Sequence, residues 1–421
     1  MFDIAKVLWI SMGRVGVQLS SLIVFFFSAN YLSPSEYGIF SLITIGLIIS
    51  ELTARECVEN YLLTRPDEVK NIFKVSWLIG FILGLLISVG VSYLIPNISF
   101  LSTTYFLIFA IVFFQWPAAA IRGGLLTNLA VKKLTFISIF TSIISAIVAI
   151  LLLMNDAGIN SLLSQQILIW SGMSFLGWLV LRVTKTVNKK TVFNNWLAHC
   201  KFGTTSSLLT VASNRLDYIV IASVFNMHDV GLYAFVKRIY QIIQDVFSSG
   251  VERYLIVFLS KLSKSDFINN SIKTKIYMFV LMLIVVIVTS LLAPILFPIF
   301  FGDKWQDSYP LFALMGGVVI FSSLLSLARS DLYAQKAMKA ITLGKFFELL
   351  ISCLLIFSLG LIGLKEMAIA SSLRYLIVFI IVYWFVIKVT KKTTNNNIHI
   401  LSLLLCLFIT TNYIPFVDIK Y

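Results

Sequence analysis

Arg215, Lys237, Arg238 and Arg374 each interrupt a long apolar run, and Arg14 does so near the start of the chain. At about 1.5 Å of helix rise per residue, Arg215 lies roughly 15 Å from the nearer end of its run and Arg374 about 12 Å. Lys237, Arg238 and Arg14 lie about 11 Å in. Ionisable groups this deep in an apolar helix are costly unless they face a polar interior, a partner or a charged ligand. A collection of buried cations suits an anion, above all one with phosphate-like oxygens. These five are therefore the candidate substrate-binding residues. Two carboxylates could carry a second kind of chemistry. Glu51 and Asp245 lie at corresponding depths of about 21–23 Å, where a change of protonation or ion occupancy could bias one state of the protein over another. They are the candidate ion-coupling residues.

Spacing groups these residues further. Glu51, Arg55 and Glu59 follow one another at i+4, and Arg238, Gln241, Asp245, Ser248 and Glu252 at three or four, so each set marks one helical face. Asp217 lies at the depth of Lys237 and Arg238 across a short turn, which predicts an ion pair. Asp217, Arg55, Glu59 and Glu252 are read as structural ion-pair or gate residues, the last three being near enough to an interface to reach water.

The elements that position them follow from composition. The 421 residues are 59% hydrophobic and only 12% charged, with a mean hydropathy of +0.95, against about 25% charged in soluble domains. Apolar runs of about 20 residues, enough to span a hydrocarbon core of ~30 Å, recur throughout. The expectation is an all-α polytopic membrane protein with twelve transmembrane helices, near 7–31, 37–62, 75–95, 101–121, 134–154, 161–181, 202–225, 230–256, 276–301, 308–333, 342–363 and 366–388. Residues 399–416 are expected to form a short thirteenth span. The net charge of +14 collects in alternate connections, for example Arg65, Lys70 and Lys74, or Lys185, Lys189, Lys190 and Lys201. That asymmetry predicts a cytoplasmic N-terminus and argues against a nucleic-acid partner, because the charge is spread over loops beside membrane segments.

Other chemistries find no support. The four cysteines and three histidines lack metal-ligand spacing, so no metal site is expected and the cysteines read as buried fillers. No GxxxxGK[ST] loop, nucleophile elbow or paired-carboxylate motif is present, and neither a cofactor nor an enzymatic activity is expected.

The chain also repeats itself. Ser35–Phe40 (SEYGIF) returns as His228–Tyr233 (HDVGLY), and Val58–Leu63 (VENYLL) as Val251–Ile256 (VERYLI), both at an offset of 193 residues. A weaker echo joins Asp156–Ile159 to Leu361–Leu364. Six spans plus six make a parallel repeat of two six-helix lobes, a construction found among transporters. The lobes are read as 1–184 and 202–390, with a basic cytoplasmic inter-lobe linker at 185–201 and a tail at 391–421.

Twelve spans, the parallel repeat and the turn Leu32–Phe40 (LSPSEYGIF) together resemble the Wzx-type polysaccharide flippases of the multidrug/oligosaccharidyl-lipid/polysaccharide exporter superfamily. Asp229–Ala234 (DVGLYA) and Phe301–Trp305 (FGDKW) add to the likeness, which covers residues 1–390. The resemblance implies transfer of an undecaprenyl-pyrophosphate-linked O-antigen repeat unit from the cytoplasmic to the periplasmic leaflet of a bacterial inner membrane. It implies membrane lipid, and other polysaccharide-assembly membrane proteins, as partners. It transfers no site residue, because the family has no universal catalytic motif. The alternatives are a drug or small-cation exporter, or a lipid II flippase, of the same fold. A polymerase or glycosyltransferase of polysaccharide assembly is disfavoured because no sizeable outside loop is present.

Overall fold

A computed structural model describes residues 4–94, 103–128, 130–181, 189–259, 263–335 and 337–390. The expected thirteenth span at 399–416 lies outside the described residues. The described residues form helices and short connections, with no strand among them.

In chain order these are α1 (Ile4–Tyr31), α2 (Pro34–Ala54), α3 (Asn60–Thr64), α4 (Val69–Leu94), α5 (Thr103–Thr127), α6 (Val131–Met154), α7 (Ile159–Val180), α8 (Lys189–Val224), α9 (Met227–Leu259), α10 (Lys264–Phe301), α11 (Tyr309–Leu314), α12 (Gly316–Ala334), α13 (Met338–Leu359) and α14 (Leu364–Thr390). A π-helical turn (Arg55–Glu59) fuses α2 to α3, and α11 runs directly into α12, so twelve long rods result in the positions expected from hydropathy. Eight of them are long and apolar enough to cross a membrane by composition. Large apolar side chains such as Leu78, Leu86, Phe136 and Ile147 lie exposed on the rods, as lipid-facing residues do. The protein is a multi-pass helical membrane protein.

The rods form two compact units, Met1–Arg215 with Phe300–Gly302, and Leu216–Ile299 with Asp303–Tyr421. The division falls inside α8. Residues 189–201, part of the segment read as a linker, are the first turns of that helix; no Gly or Pro interrupts them, so nothing stops the helix from running on. In the first unit α4 packs on α5, α5 and α6 on α7, α1 on α6, and α2 on α5. In the second, α12 and α13 pack on α14, and α9 on α12. The pairs α5–α7, α6–α7 and α2–α5 thus recur as α12–α14, α13–α14 and α9–α12, so in these three pairs the repeat seen in the sequence is also a repeat of packing.

One stretch of that repeat is a helix start. Ser33 caps α2: its hydroxyl accepts from Glu36 N at 3.3 Å, while Glu36 Oε2 accepts from Ser33 N at 2.8 Å, and Pro34 occupies the first turn. This capping box satisfies amide groups that the first turn leaves open. At α9, Asn226 Oδ1 accepts from Asp229 N at 2.9 Å in the same manner. Glu36 also approaches Gly158, whose φ of +56° favours glycine and where an added Cβ would lie 3.1 Å from the Glu36 carboxylate. Elsewhere, Gly80 on α4 lets the backbone of Phe113 on α5 come within 2.6 Å of where a Cβ would stand, the close approach by which small residues join membrane helices.

The second unit has an aromatic core. Phe235 stacks on Trp305 with centroids 4.0 Å apart, and Tyr240 on Phe312 at 4.5 Å. Trp305, from the FGDKW motif, is fully buried. Gly302, with φ of +79°, lets the chain turn out of α10 to deliver it.

Candidate functional site

Each unit has its own concentration of polar groups, and the two are built differently. In the first, α2 presents Glu51, and the rod then passes through the π turn, where Asn60 N bonds back to Arg55 O. A π turn adds a residue to the helical cycle and often marks a functional position. Its carbonyls here attract side chains from α8. Trp196 Nε1 donates to Cys57 O at 2.9 Å, and His199 Nε2 lies 3.1 Å from Glu56 O. Cys57 and Cys200 meet at the same place, the Cys57 thiol lying 3.7 Å from Cys200 O and 3.4 Å from Thr204 Oγ1. The two cysteines expected as scattered fillers therefore belong to one junction.

The opposite side of the turn faces a pocket. Glu51, Arg55 and Glu59 line it from their own rod, Gln115, Ala119 and Arg122 from α5, and Trp170 from α7. It encloses about 290 Å³ of empty space, its open mouth included. Arg122 Nε stands 3.4 Å from Glu59 Oε2, and Gln115 Nε2 donates to Leu47 O at 3.3 Å. Among the described residues, Gln115 Oε1, Trp170 Nε1 and Glu59 Oε2 are buried with no protein hydrogen-bond partner, Glu59 Oε2 having Arg122 only at ion-pair distance. A buried polar atom left in this state costs about 1–3 kcal/mol, so the site calls for water or a small ligand. Among the described residues no hydrogen bond or ion pair reaches the Glu51 carboxylate. Its charged neighbours are Arg122, Arg55 and Glu59.

The second concentration centres on Asp217. Lys237 on α9 pairs with Asp217 on α8, and Tyr233 Oη donates to the same carboxylate oxygen at 2.7 Å while lying 2.6 Å from Ser371 Oγ on α14. Asp217 is fully buried and Lys237 is 5% exposed. The ammonium also lies 4.6 Å from the centre of the Tyr218 ring, a cation–π contact strengthened by exclusion of water. Arg374, with none of its surface exposed, has its guanidinium 4.3 Å from the Tyr375 ring and Nη1 3.5 Å from Ser352 Oγ on α13. Two further ion pairs tie the unit together, Arg329 to Glu348 at 2.6 Å and Lys275 to Asp331. Buried charges survive when each is paired and hydrogen-bonded, and Asp217, Lys237 and Asp331 meet that condition.

Of the five candidate binding cations, Arg14 on α1 and Arg215 on α8 belong to the first unit, and Lys237, Arg238 and Arg374 to the second. Arg215 and Arg238 are half-buried. The Arg14 side chain lies outside the described residues, as do those of Asp245 and Glu252 on α9. Glu51, Arg55 and Glu59 share one pocket, and Asp217 is in an ion pair.

Several polar groups escape a reading of the sequence alone. Lys275 lies just before the expected span at 276–301, yet α10 begins at Lys264, so Lys275 is well inside a helix and buried against Asp331. Asp331, Arg329 and Glu348 stand within apolar runs, and the depth argument applied to the cations would have found them. Gln115 and Trp170 carried no such signal, because one neutral amide or indole in an apolar helix is ordinary. Among the described residues no three His, Cys, Asp or Glu side chains are grouped to hold a metal ion.

Comparison with known proteins bears on this architecture. Residues 29–310 match the family model described as polysaccharide biosynthesis protein. No curated protein matches the sequence. Solved structures match the fold at low identity. The lipid II flippase MurJ in an inward closed conformation has a TM-score of 0.72 at 15% identity, covering 95% of this chain and 91% of that one. A Vibrio cholerae MATE transporter, VcmN in its bent form, has 0.55 at 12%, covering 92% and 97%. A MOP superfamily transporter from Pyrococcus furiosus, titled for the reverse polarity of its binding pocket, has 0.54 at 11%, covering 92% and 95%. With two thirds of its length matched by the family model and nearly all of it following the MurJ and MATE fold, the chain belongs to the polysaccharide biosynthesis protein family.

Proposed function

We propose that the protein is a flippase that carries a lipid-linked oligosaccharide across the bacterial inner membrane by alternating access. The cargo in this reading is an undecaprenyl-pyrophosphate-linked polysaccharide repeat unit of the O-antigen type, moved from the cytoplasmic to the periplasmic leaflet. The observation that carries the reading is cations placed within apolar rods of both units of a polysaccharide-biosynthesis chain: Arg14 and Arg215 in one, Lys237, Arg238 and Arg374 in the other. A pyrophosphate is a concentrated anion, and its passage through hydrocarbon needs positive charge and hydrogen-bond donors at depth. The sugar needs polar groups or water, whereas the prenyl tail can stay in lipid. A carrier of cationic drugs would need carboxylates and aromatic rings at its cargo site.

Arg215 and Arg238, whose side chains stay partly exposed, are assigned to contact with the phosphates. Lys237 and Arg374 contribute field from within their network. Accumulation of undecaprenyl-linked repeat units in a deletion strain, relieved by the wild-type chain, tests the assignment. Arg215→Ala should reduce relief at unchanged membrane abundance, and Arg215→Lys should recover part of it, because a diffuse positive field tolerates lysine. Full relief by an Arg215→Ala, Arg374→Ala double variant would remove the cationic cargo site.

A further inference from the structure

We infer that Cys57 and Cys200 form an oxidisable thiol pair, which a peroxide joins into a disulfide that staples α8 onto the π turn of the α2 rod. The pair stands on its own geometry; only its effect on export rests on the proposed function.

The two cysteines are 143 positions apart in the chain, and packing alone brings them together. The Cys57 thiol lies 3.7 Å from Cys200 O, and the Cys200 thiol 3.9 Å from Cys57 O. Each sulfur reaches across to the other backbone, and the two thiols hydrogen-bond each other in the gap between the π turn and α8. Both are free and buried. This reciprocal approach sets the two backbones side by side, as the Cβ separation of about 3.5–4.5 Å in a disulfide requires. Neighbouring contacts hold the arrangement. Trp196 Nε1, one helical turn before Cys200, donates to Cys57 O at 2.9 Å, and His199 Nε2 lies 3.1 Å from Glu56 O.

The surroundings select the chemistry. Structural zinc takes four ligands, and among the described residues no three His, Cys, Asp or Glu side chains are grouped to hold a metal ion. Thr204 Oγ1, one turn further along α8, lies 3.4 Å from the Cys57 sulfur. Its hydroxyl can donate to that sulfur as a thiolate, the form that reacts. Thr204 is half-buried and His199 exposed, which leaves a way in for a molecule as small as hydrogen peroxide. The Cys57 thiolate attacks one peroxide oxygen and the O–O bond breaks. Cys57 becomes a sulfenic acid, and the departing hydroxide takes up the proton Cys57 had lost and leaves as water. The Cys200 sulfur then displaces hydroxide from the sulfenic acid, which leaves as water with the Cys200 proton. One S–S bond forms, each sulfur loses one electron, and the peroxide is reduced to two waters. Thiol–disulfide exchange with a small thiol reverses the step. The end of the α2 rod that carries Cys57 is the one read as cytoplasmic, where a disulfide is transient and redox-sensing, not permanent.

The two compact units divide inside α8, after Arg215. A bond at Cys200 fixes the first part of that helix to the α2 rod, so movement carried through α8 is slowed while the bond lasts.

The test treats the full-length protein in lipid vesicles with hydrogen peroxide, blocks the remaining thiols and maps the digest by mass spectrometry. The expected result is a Cys57–Cys200 linked peptide, with loss of both free thiols and their return on adding dithiothreitol. The linked peptide should be absent from Cys57→Ser and from Cys200→Ser and retained in Cys353→Ser. Oxidation should raise the melting temperature of the wild type and not of either single serine variant, whose unoxidised melting curves show that they fold. Absence of the linked peptide overturns the pair, whether the thiols stay unreacted, stop at sulfinic acid or link only to Cys353 or to another copy of the chain. Transfer of undecaprenyl-linked repeat units in the vesicles should slow on oxidation and recover with dithiothreitol, and Cys57→Ser should be indifferent to both. A linked peptide with unchanged transfer upholds the pair and overturns its control of export. A linked peptide where no version of the protein transfers repeat units upholds the pair and refutes the cargo.

Discussion

The pocket of the first unit and the charge network of the second use corresponding rods to opposite ends. Rods α2, α5 and α7 build the pocket, and their counterparts α9, α12 and α14 contribute much of the network. In the network, Asp217 is met by Lys237, Tyr233 and its own backbone neighbour Tyr218 N. In the pocket, Gln115 Oε1 and Trp170 Nε1 lack protein partners and Glu51 lacks an ion pair. Duplication kept the helix starts and the packing of three helix pairs but let the polar interiors diverge. A carboxylate met on all sides, as Asp217 is, holds its helices in one arrangement, whereas one without an ion pair has states to choose between.

The sharpest way to break this contrast is to remove one partner from each side. Asp217→Asn or Lys237→Ala should destabilise the protein by about 3–5 kcal/mol, because the remaining charge is stranded away from water. Thermal unfolding in detergent measures it. Replacing both, as Asp217→Leu with Lys237→Met, should recover most of that loss, since an apolar pair of similar volume often matches a buried ion pair. Glu51→Gln is expected to change stability by less than about 1 kcal/mol, because it removes no paired group, while eliminating the dependence of export on the proton gradient in vesicles. Equal destabilisation by Glu51→Gln and Asp217→Asn would end the distinction between an open and a closed site.

A smaller effect is expected at the junction between the π turn and α8. Trp196→Phe leaves Cys57 O without its indole donor and should cost about 1 kcal/mol, with slower export at unchanged abundance. The smallest comparison sets the two helix starts against each other. Ser33→Ala and Asn226→Ala should each cost about 0.5–2 kcal/mol in stability. Ser33→Ala should cost more, because it also removes the bond that the Ser33 hydroxyl donates to Glu36 Oε2, and paired melting curves of the two variants decide this.

Some of this contrast is legible in the amino-acid sequence. Asp217 and Lys237 are joined by a short hairpin, so equal depth brings them near each other. Glu51, Arg55 and Glu59 fall on one face by period alone, and the π turn over Arg55–Glu59, invisible in that period, still leaves all three on the pocket. The pairing of Lys275 with Asp331 is not legible there. It joins residues 56 positions apart, on helices whose neighbours the apolar pattern does not specify.

What the sequence by itself determined is the number of rods, their apolar character and the duplication, since each depends on composition or on the order of residues along the chain. It also established that charge lies deep in the chain. Only the tertiary structure decided which charges are satisfied. Helix periodicity assigns a face but not what that face meets, and in a membrane protein lipid-facing and core-facing leucines read alike. Whether a carboxylate is locked in an ion pair, like Asp217, or left without one, like Glu51, therefore depends on which rods pack beside it. The packing of α5 and α7 beside α2, which brings Gln115, Arg122 and Trp170 to Glu51, set that outcome.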